Sequence, residues 1–251
     1  MQEKYKNKII KSIALVVGIL LILQFILIFL NFQENKKTEI KKQSFVSLNN
    51  ATLVRMKIPA IDADGKGVST YLVVEAVPGT GRTLTDIENL LFWADTQQSI
   101  RMARLVANKY TNKSVNDYDL VYSIEANASI IGGPSAGAAI ALATIFALNN
   151  ENFREDVTIT GTINHDGSIG PVSAILEKAK ASKEANATVF LVPLLQSRDV
   201  VYETKEHCEN FGPMRYCQTE TIPRKISVSE EAGIKVVEVA NIEEALKYFK
   251  V

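Results

Sequence analysis

The sequence predicts an α+β domain carried behind one membrane-spanning helix, and three observations lead there. A 19-residue run without charge lies near the N-terminus, short β-branched runs alternate with turn residues from position 52 onward, and small-residue helical segments are interleaved with those runs. The 251 residues carry 28 basic and 28 acidic side chains, 47% apolar residues and 22% charged residues. That balance excludes global disorder, and it offers no basic field for nucleic acid. Two cysteines are too few for a disulfide scaffold.

The apolar run from Ser12 to Leu30 reads SIALVVGILLILQFILIFL, with Gln24 its one strongly polar side chain. As a helix it is roughly 28 Å long, enough to span the hydrocarbon core of a bilayer. No small-x-small cleavage site follows it, so the expectation is an uncleaved single-pass anchor over 12–31 behind a short tail, 1–11. Lys4, Lys6, Lys8 and Lys11 precede the span and Lys36, Lys37, Lys41 and Lys42 follow it. The dense lysines of the short tail favour its retention in the cytosol, with the remainder extracytoplasmic. Residues 32–44 are polar and aperiodic and read as a stalk. Residues 45–251 are long enough for one domain with its own core.

Within that domain, Thr52 to Pro59 and Ser69 to Val77 flank the turn-like DADGKG and predict a hairpin. Asp95 to Tyr110 has a helical period, with Ile100, Met102, Ala103, Val106 and Ala107 opposite Arg101, Arg104 and Asn108. Asp119 to Glu125 reads as a strand and Ser135 to Leu148 as a buried helix. Val157 to Ile163 and Ser168 to Val172 flank NHDG as a second hairpin. A helix from Ser173 to Ala187, strands Thr188 to Val192 and Lys235 to Val239, and a helix from Ile242 to Phe249 complete the order. Gln196 to Pro223 lacks periodicity and reads as a loop.

The segment GGPSAG is the most informative. Gly132 and Gly133 lead into Pro134, which suits a first helical turn, and Ser135 sits at the helix start. A serine there is a helix cap, a small packing residue, or a nucleophile whose oxyanion is stabilised by the amides of Gly133 and Ser135. Histidine offers little as a base: His165 lies in the turn NHDG, and His207 adjoins Cys208 far from GGPSAG in sequence. Lysine can serve only if burial depresses its pKa. In the helix from Ser173, Lys178 has Ala174, Ile175, Ala181 and Ser182 at its i±3 and i±4 positions, so it alone of its helix's lysines sits on the inward face. A lysine snorkelling from the edge of that face fits the same spacing.

GGPSAG, the segment TGTINHDGSIGPVSAILEKAK from Thr160 to Lys180, and the 43-residue interval from Ser135 to Lys178 together resemble the proteolytic domain of Lon proteases. PGTGRTLTD from Pro78 and TQQSIRMA from Thr96 extend the resemblance, which runs from about Thr52 to Pro193. It implies a Ser-Lys dyad with Ser135 as nucleophile, Lys178 as general base and Thr160 supporting the lysine amine. It implies a peptidase without cofactor or metal and ring-forming homo-oligomers, and with no unfolding motor read in the sequence the expected substrates are unfolded or loosely structured polypeptides. Two positions depart from the bacterial pattern: Gly132 and Thr162 stand where acidic residues are found. No GxxxxGK[ST] occurs, so ATP-independent action is expected. A non-proteolytic scaffold at the membrane and a subunit that needs a separate ATPase are the alternatives.

Cys208 and Cys217 lie in the segment after Pro193, where the resemblance weakens. A metal there would need His207 and a fourth ligand. Two free thiols would suit an intracellular domain; with the domain expected outside the cytoplasm, a Cys208–Cys217 disulfide closing a short loop is the expectation.

Overall fold

The computed structural model describes residues 51–85, 94–125 and 133–251, together with position 24. Apart from position 24 these belong to one unit, Ser47–Val251. The expected anchor and stalk lie outside the described residues. Among those described, no helix is long and apolar enough to cross a membrane.

Strands β1 (Thr52–Ile61) and β2 (Gly67–Pro78) form the expected hairpin, in antiparallel register from Thr52↔Ala76 to Ile61↔Gly67. Its turn is held by the Asp62 carboxylate, which accepts from the Asp64 and Lys66 amides. Strand β3 (Thr83–Thr85) runs parallel to β4 (Tyr118–Glu125), and β4 is antiparallel to β2. The sheet order β1-β2-β4-β3 leaves β1 at an edge. Asp119 organises the connection between β2 and β3. Its carboxylate accepts from the Thr80 and Arg82 amides and pairs with the Arg82 guanidinium, which holds it far below the usual carboxylate range. A Cβ at Gly79 would lie 2.3 Å from the Asp119 carboxyl carbon, so only glycine lets the loop wrap this closely.

Helix α1 (Ala94–Tyr110) buries Ile100, Ala103, Val106 and Ala107 of the face that its periodicity selects, with Met102 at the edge of that face only partly buried. Helix α2 (Gly137–Asn149) is buried from Gly137 through Leu148, as its lack of a polar face requires. Its one hydroxyl, Thr144, is satisfied by the Ile140 carbonyl and Tyr122. Asn150 ends the helix in the left-handed region at φ 56°.

The second predicted hairpin is only partly formed. Val157–Ile159 (β5) joins a three-stranded parallel sheet with Val189–Pro193 (β8) and Lys235–Val239 (β11), in the order β11-β8-β5. The chain then turns at Thr160–Gly161, and only Thr162–Ile163 (β6) pairs with Ile169–Gly170 (β7) around NHDG. Gly161 has φ +150°, and a Cβ there would lie 2.4 Å from the Ile169 methyl. That close approach breaks what reads in sequence as one strand.

Helix α3 (Ile175–Glu184) starts later than predicted, because Ala174 at φ 56° cannot belong to a right-handed helix. The segment Gln196 to Pro223 is not a loop. Arg198–Phe211 (β9) and Met214–Ser227 (β10) form an antiparallel arm of two 14-residue strands. Nearly every side chain beyond its base is exposed. With neither face buried, there is no apolar alternation to reveal the strands. At the base, Ile226 and Val201 join Ile175, Leu176, Phe190 and Val228 in a second core separate from the main one. A short helix α4 (Val228–Ala232) follows, capped by the Ser227 hydroxyl. Helix α5 (Ile242–Phe249), capped by Asn241, closes the fold on Phe146 and Phe153.

Candidate active site

Gly133 is fully extended, and Pro134–Ala136 form a single 3-10 turn that runs into α2. Proline fixes the backbone for that turn without losing a donor the turn would use. Ser135 is half-buried there. Its N–H lies in the first turn, ahead of the intrahelical donors, as an oxyanion-binding amide requires.

The turn is locked from behind. The Ser135 carbonyl accepts from the Gly161 amide (2.9 Å) and from the Thr160 hydroxyl (3.3 Å), and the Ala138 amide donates to the Gly161 carbonyl (3.0 Å). A Cβ at Gly137 would sit 2.8 Å from the Ile163 nitrogen, so glycine permits this contact between α2 and β6. The expected support of the lysine amine by Thr160 is not what the geometry gives. Among the described residues, the Thr160 hydroxyl bonds the Ser135 backbone and not Lys178. The reason is positional: Thr160 ends the run from β5 directly behind the serine turn.

Lys178 is 3% exposed. Its amine donates to the Ser173 carbonyl at 3.1 Å. Burial pulls its pKa from 10.5 down to about 8, with Glu177 opposing the shift weakly. The inward face selected by helical spacing is therefore the buried one, and the snorkelling alternative does not hold. Ser135 and Lys178 open on one cavity of about 410 Å³, although no hydrogen bond joins their side chains. Gly133, Thr162, the edge strand at Ile58–Ile61 and the segment Pro171–Ala174 complete much of its wall. Asp95 is the only acidic side chain among the described residues that line it. Of the two departures from the acidic pattern, Thr162 lies on this wall and Gly132 lies outside the described residues. An amine that is partly neutral near pH 8 can take a proton from a hydroxyl brought to it in this space.

Both histidines are elsewhere. His165 is exposed in its turn, and His207 is exposed on the arm beside Glu209. Cys208 and Cys217 are directly paired across the arm and joined by a disulfide. Glu206 lies close to both sulfurs, but bonded cysteines are not metal ligands, and His207 points to the opposite face of the strand. Sequence reasoning missed the Ser173 carbonyl and the β1 edge. Neither carries a residue-type signal, because both act through backbone or through position.

The fold is thus an α+β domain with a serine at a helix start and a buried lysine on one cavity. The chain belongs to the Lon protease family: the Lon protease (S16) C-terminal proteolytic domain matches residues 74–216. This match begins later than the resemblance read from sequence and runs further, into β10. The chain is 25% identical over 166 residues to an archaeal Lon protease of Methanothermobacter thermautotrophicus, covering 66% of this chain and 26% of that protein. It is 28% identical over 174 residues to a Lon protease of Phenylobacterium zucineum, covering 64% and 22%. It is 34% identical over 92 residues to a Lon protease of Desulfovibrio desulfuricans, covering 37% and 10%. The chain therefore spans about a quarter or less of these relatives. The part of the family that this chain matches is its proteolytic domain.

Proposed function

We propose that this protein is a membrane-anchored, ATP-independent serine endopeptidase that hydrolyses unfolded or loosely structured polypeptides with a Ser135–Lys178 dyad. The observation that carries the reading is the buried lysine, with its pKa lowered to about 8, on the same cavity as a serine at a helix start.

The Ser135 hydroxyl attacks the scissile carbonyl carbon as the neutral Lys178 amine takes its proton. The tetrahedral oxyanion is held by the Gly133 and Ser135 amides. The resulting ammonium returns the proton to the leaving amine, which departs and leaves the acyl-enzyme. Water then attacks the ester by the same route, the amine accepting its proton and delivering it to the serine oxygen. Thr160 contributes by holding the Ser135 carbonyl, and through it the turn that presents the nucleophile. The apolar run at 12–31 anchors the chain, with the peptidase domain outside the cytoplasm, and ring-forming homo-oligomers follow the family resemblance.

The test is turnover of a casein-like unfolded substrate by the full chain in detergent, with and without nucleotide. Activity without nucleotide that is lost in Ser135→Ala supports the reading. Activity only with an added ATPase and nucleotide would make the chain a dependent subunit. No labelling by a serine-directed covalent probe and no turnover would make it a scaffold.

A further inference from the structure

We propose that Gln196 is a positioning residue for the Lys178 amine: its carboxamide clamps the backbone of Val172 and thereby holds the Ser173 carbonyl to which that amine donates. The inference rests on the proposed role of Lys178, and it concerns a residue that none of the motifs contains.

The segment Pro171–Ala174 forms one wall of the cavity and leads into the lysine helix. Backbone bonding leaves it almost unsupported. The strand pairing of β7 ends at Gly170, and α3 begins only at Ile175. Among the described residues, two hydrogen bonds tie Pro171–Ser173 to the rest of the domain apart from that of Lys178 itself. The Val172 amide donates to Gln196 Oε1 at 3.0 Å, and Gln196 Nε2 donates to the Val172 carbonyl at 2.6 Å. One side chain thus supplies both bonds of a missing strand pair, and only a carboxamide carries a donor and an acceptor in that arrangement.

The backbone is bent to deliver it. Leu195 has φ 64°, a region costly for a branched side chain, while being 90% exposed. No packing of its own explains that conformation. The turn sets Gln196 toward Val172 directly after β8, and Ser197 is pinned in turn by Glu238 and by the Val228 amide. The clamp is therefore fixed at its far end, and the chain of contacts runs Gln196 to Val172, Ser173 and the amine.

Released from the clamp, this wall admits water to the amine. Burial is the main cause of the depressed lysine pKa, so better hydration raises it. The charged groups on elements packed against α3 are unchanged by a substitution at 196. They are Glu177, Lys180, Lys183 and Glu184 on the helix itself, Asp95 across the cavity, Arg55 and Lys57 on β1, Tyr71 and Glu75 on β2, and Glu230 and Glu231 on α4.

The test reads Lys178 directly. In the full chain bearing Ser135→Ala, the rate of amine acetylation at Lys178 by acetic anhydride is measured by mass spectrometry from pH 6 to 11. Gln196→Met keeps the side chain's length and removes both hydrogen bonds, and Gln196→Ala removes the side chain. Both are expected to raise the labelling midpoint by about one pH unit, which is about tenfold less neutral amine at pH 7. In the chain with Ser135 intact, peptide turnover should then fall about tenfold at pH 7 and return to within about twofold of the parent at pH 10. An unchanged midpoint, or an equal loss of turnover at every pH, overturns the clamp. Should Lys178→Arg keep turnover, the general-base reading fails instead, while the labelling midpoint still decides the role of Gln196.

Discussion

Replacing Lys178 by methionine should stabilise the domain at neutral pH, and the effect should vanish in alkali. The ordinary lysine value of 10.5 falls to about 8 in the folded domain. That gap corresponds to about 3 kcal/mol against the ammonium form in the native state. The sign follows from proton counts. Between pH 8 and 10.5 the unfolded chain binds a proton that the native state has released, so native stability rises with pH across that window. Below pH 8 both states are protonated and the whole penalty is present. Methionine carries no charge at any pH and fills similar volume, but it forgoes the hydrogen bond to Ser173, worth about 1 kcal/mol. The net gain at pH 7 is then about 2 kcal/mol. Urea denaturation of Ser135→Ala and of Ser135→Ala with Lys178→Met, at pH 7 and pH 10.5, measures it without self-digestion. Equal stability at pH 7, or an advantage that persists undiminished at pH 10.5, would refute the argument that the buried ammonium is penalised.

Turnover of the intact protein should rise with pH through a midpoint of about 8, and Lys178→Arg should be inactive, because a guanidinium keeps its proton; a pH-rate profile checks both. His165→Ala and His207→Ala should retain most turnover in the same assay, since both side chains are exposed and neither lines the cavity. Gly137→Ala should destabilise by about 1–3 kcal/mol in thermal unfolding, as its Cβ would meet the Ile163 backbone at 2.8 Å. Alkylation of the denatured, unreduced protein should find neither Cys208 nor Cys217 free, and labelling of both would remove the bond from the arm.

The amphipathic and all-apolar helices were legible in the sequence because periodicity and burial share a cause. Ile100, Ala103, Val106 and Ala107 repeat at helical spacing and are buried together, and α2 lacks a polar face and has no exposed side. The inward placement of Lys178 followed from its small and apolar neighbours one turn away. Sequence by itself thus determined the principal helices, the first hairpin, the outline of the α+β order and the two residues on which the chemistry is proposed. The long arm was invisible, because strands that bury neither face have no reason to alternate. The split of the second hairpin was hidden as well, since the close approach of Gly161 to Ile169 involves a partner eight residues away. Only the tertiary structure decided that Thr160 bonds the Ser135 backbone, that the Ser173 carbonyl receives the lysine amine, and that Gln196 bonds the Val172 backbone beside it. These contacts pair a side chain with a distant main chain, and a main-chain carbonyl is the same in every residue type, so no letter of the sequence distinguishes it.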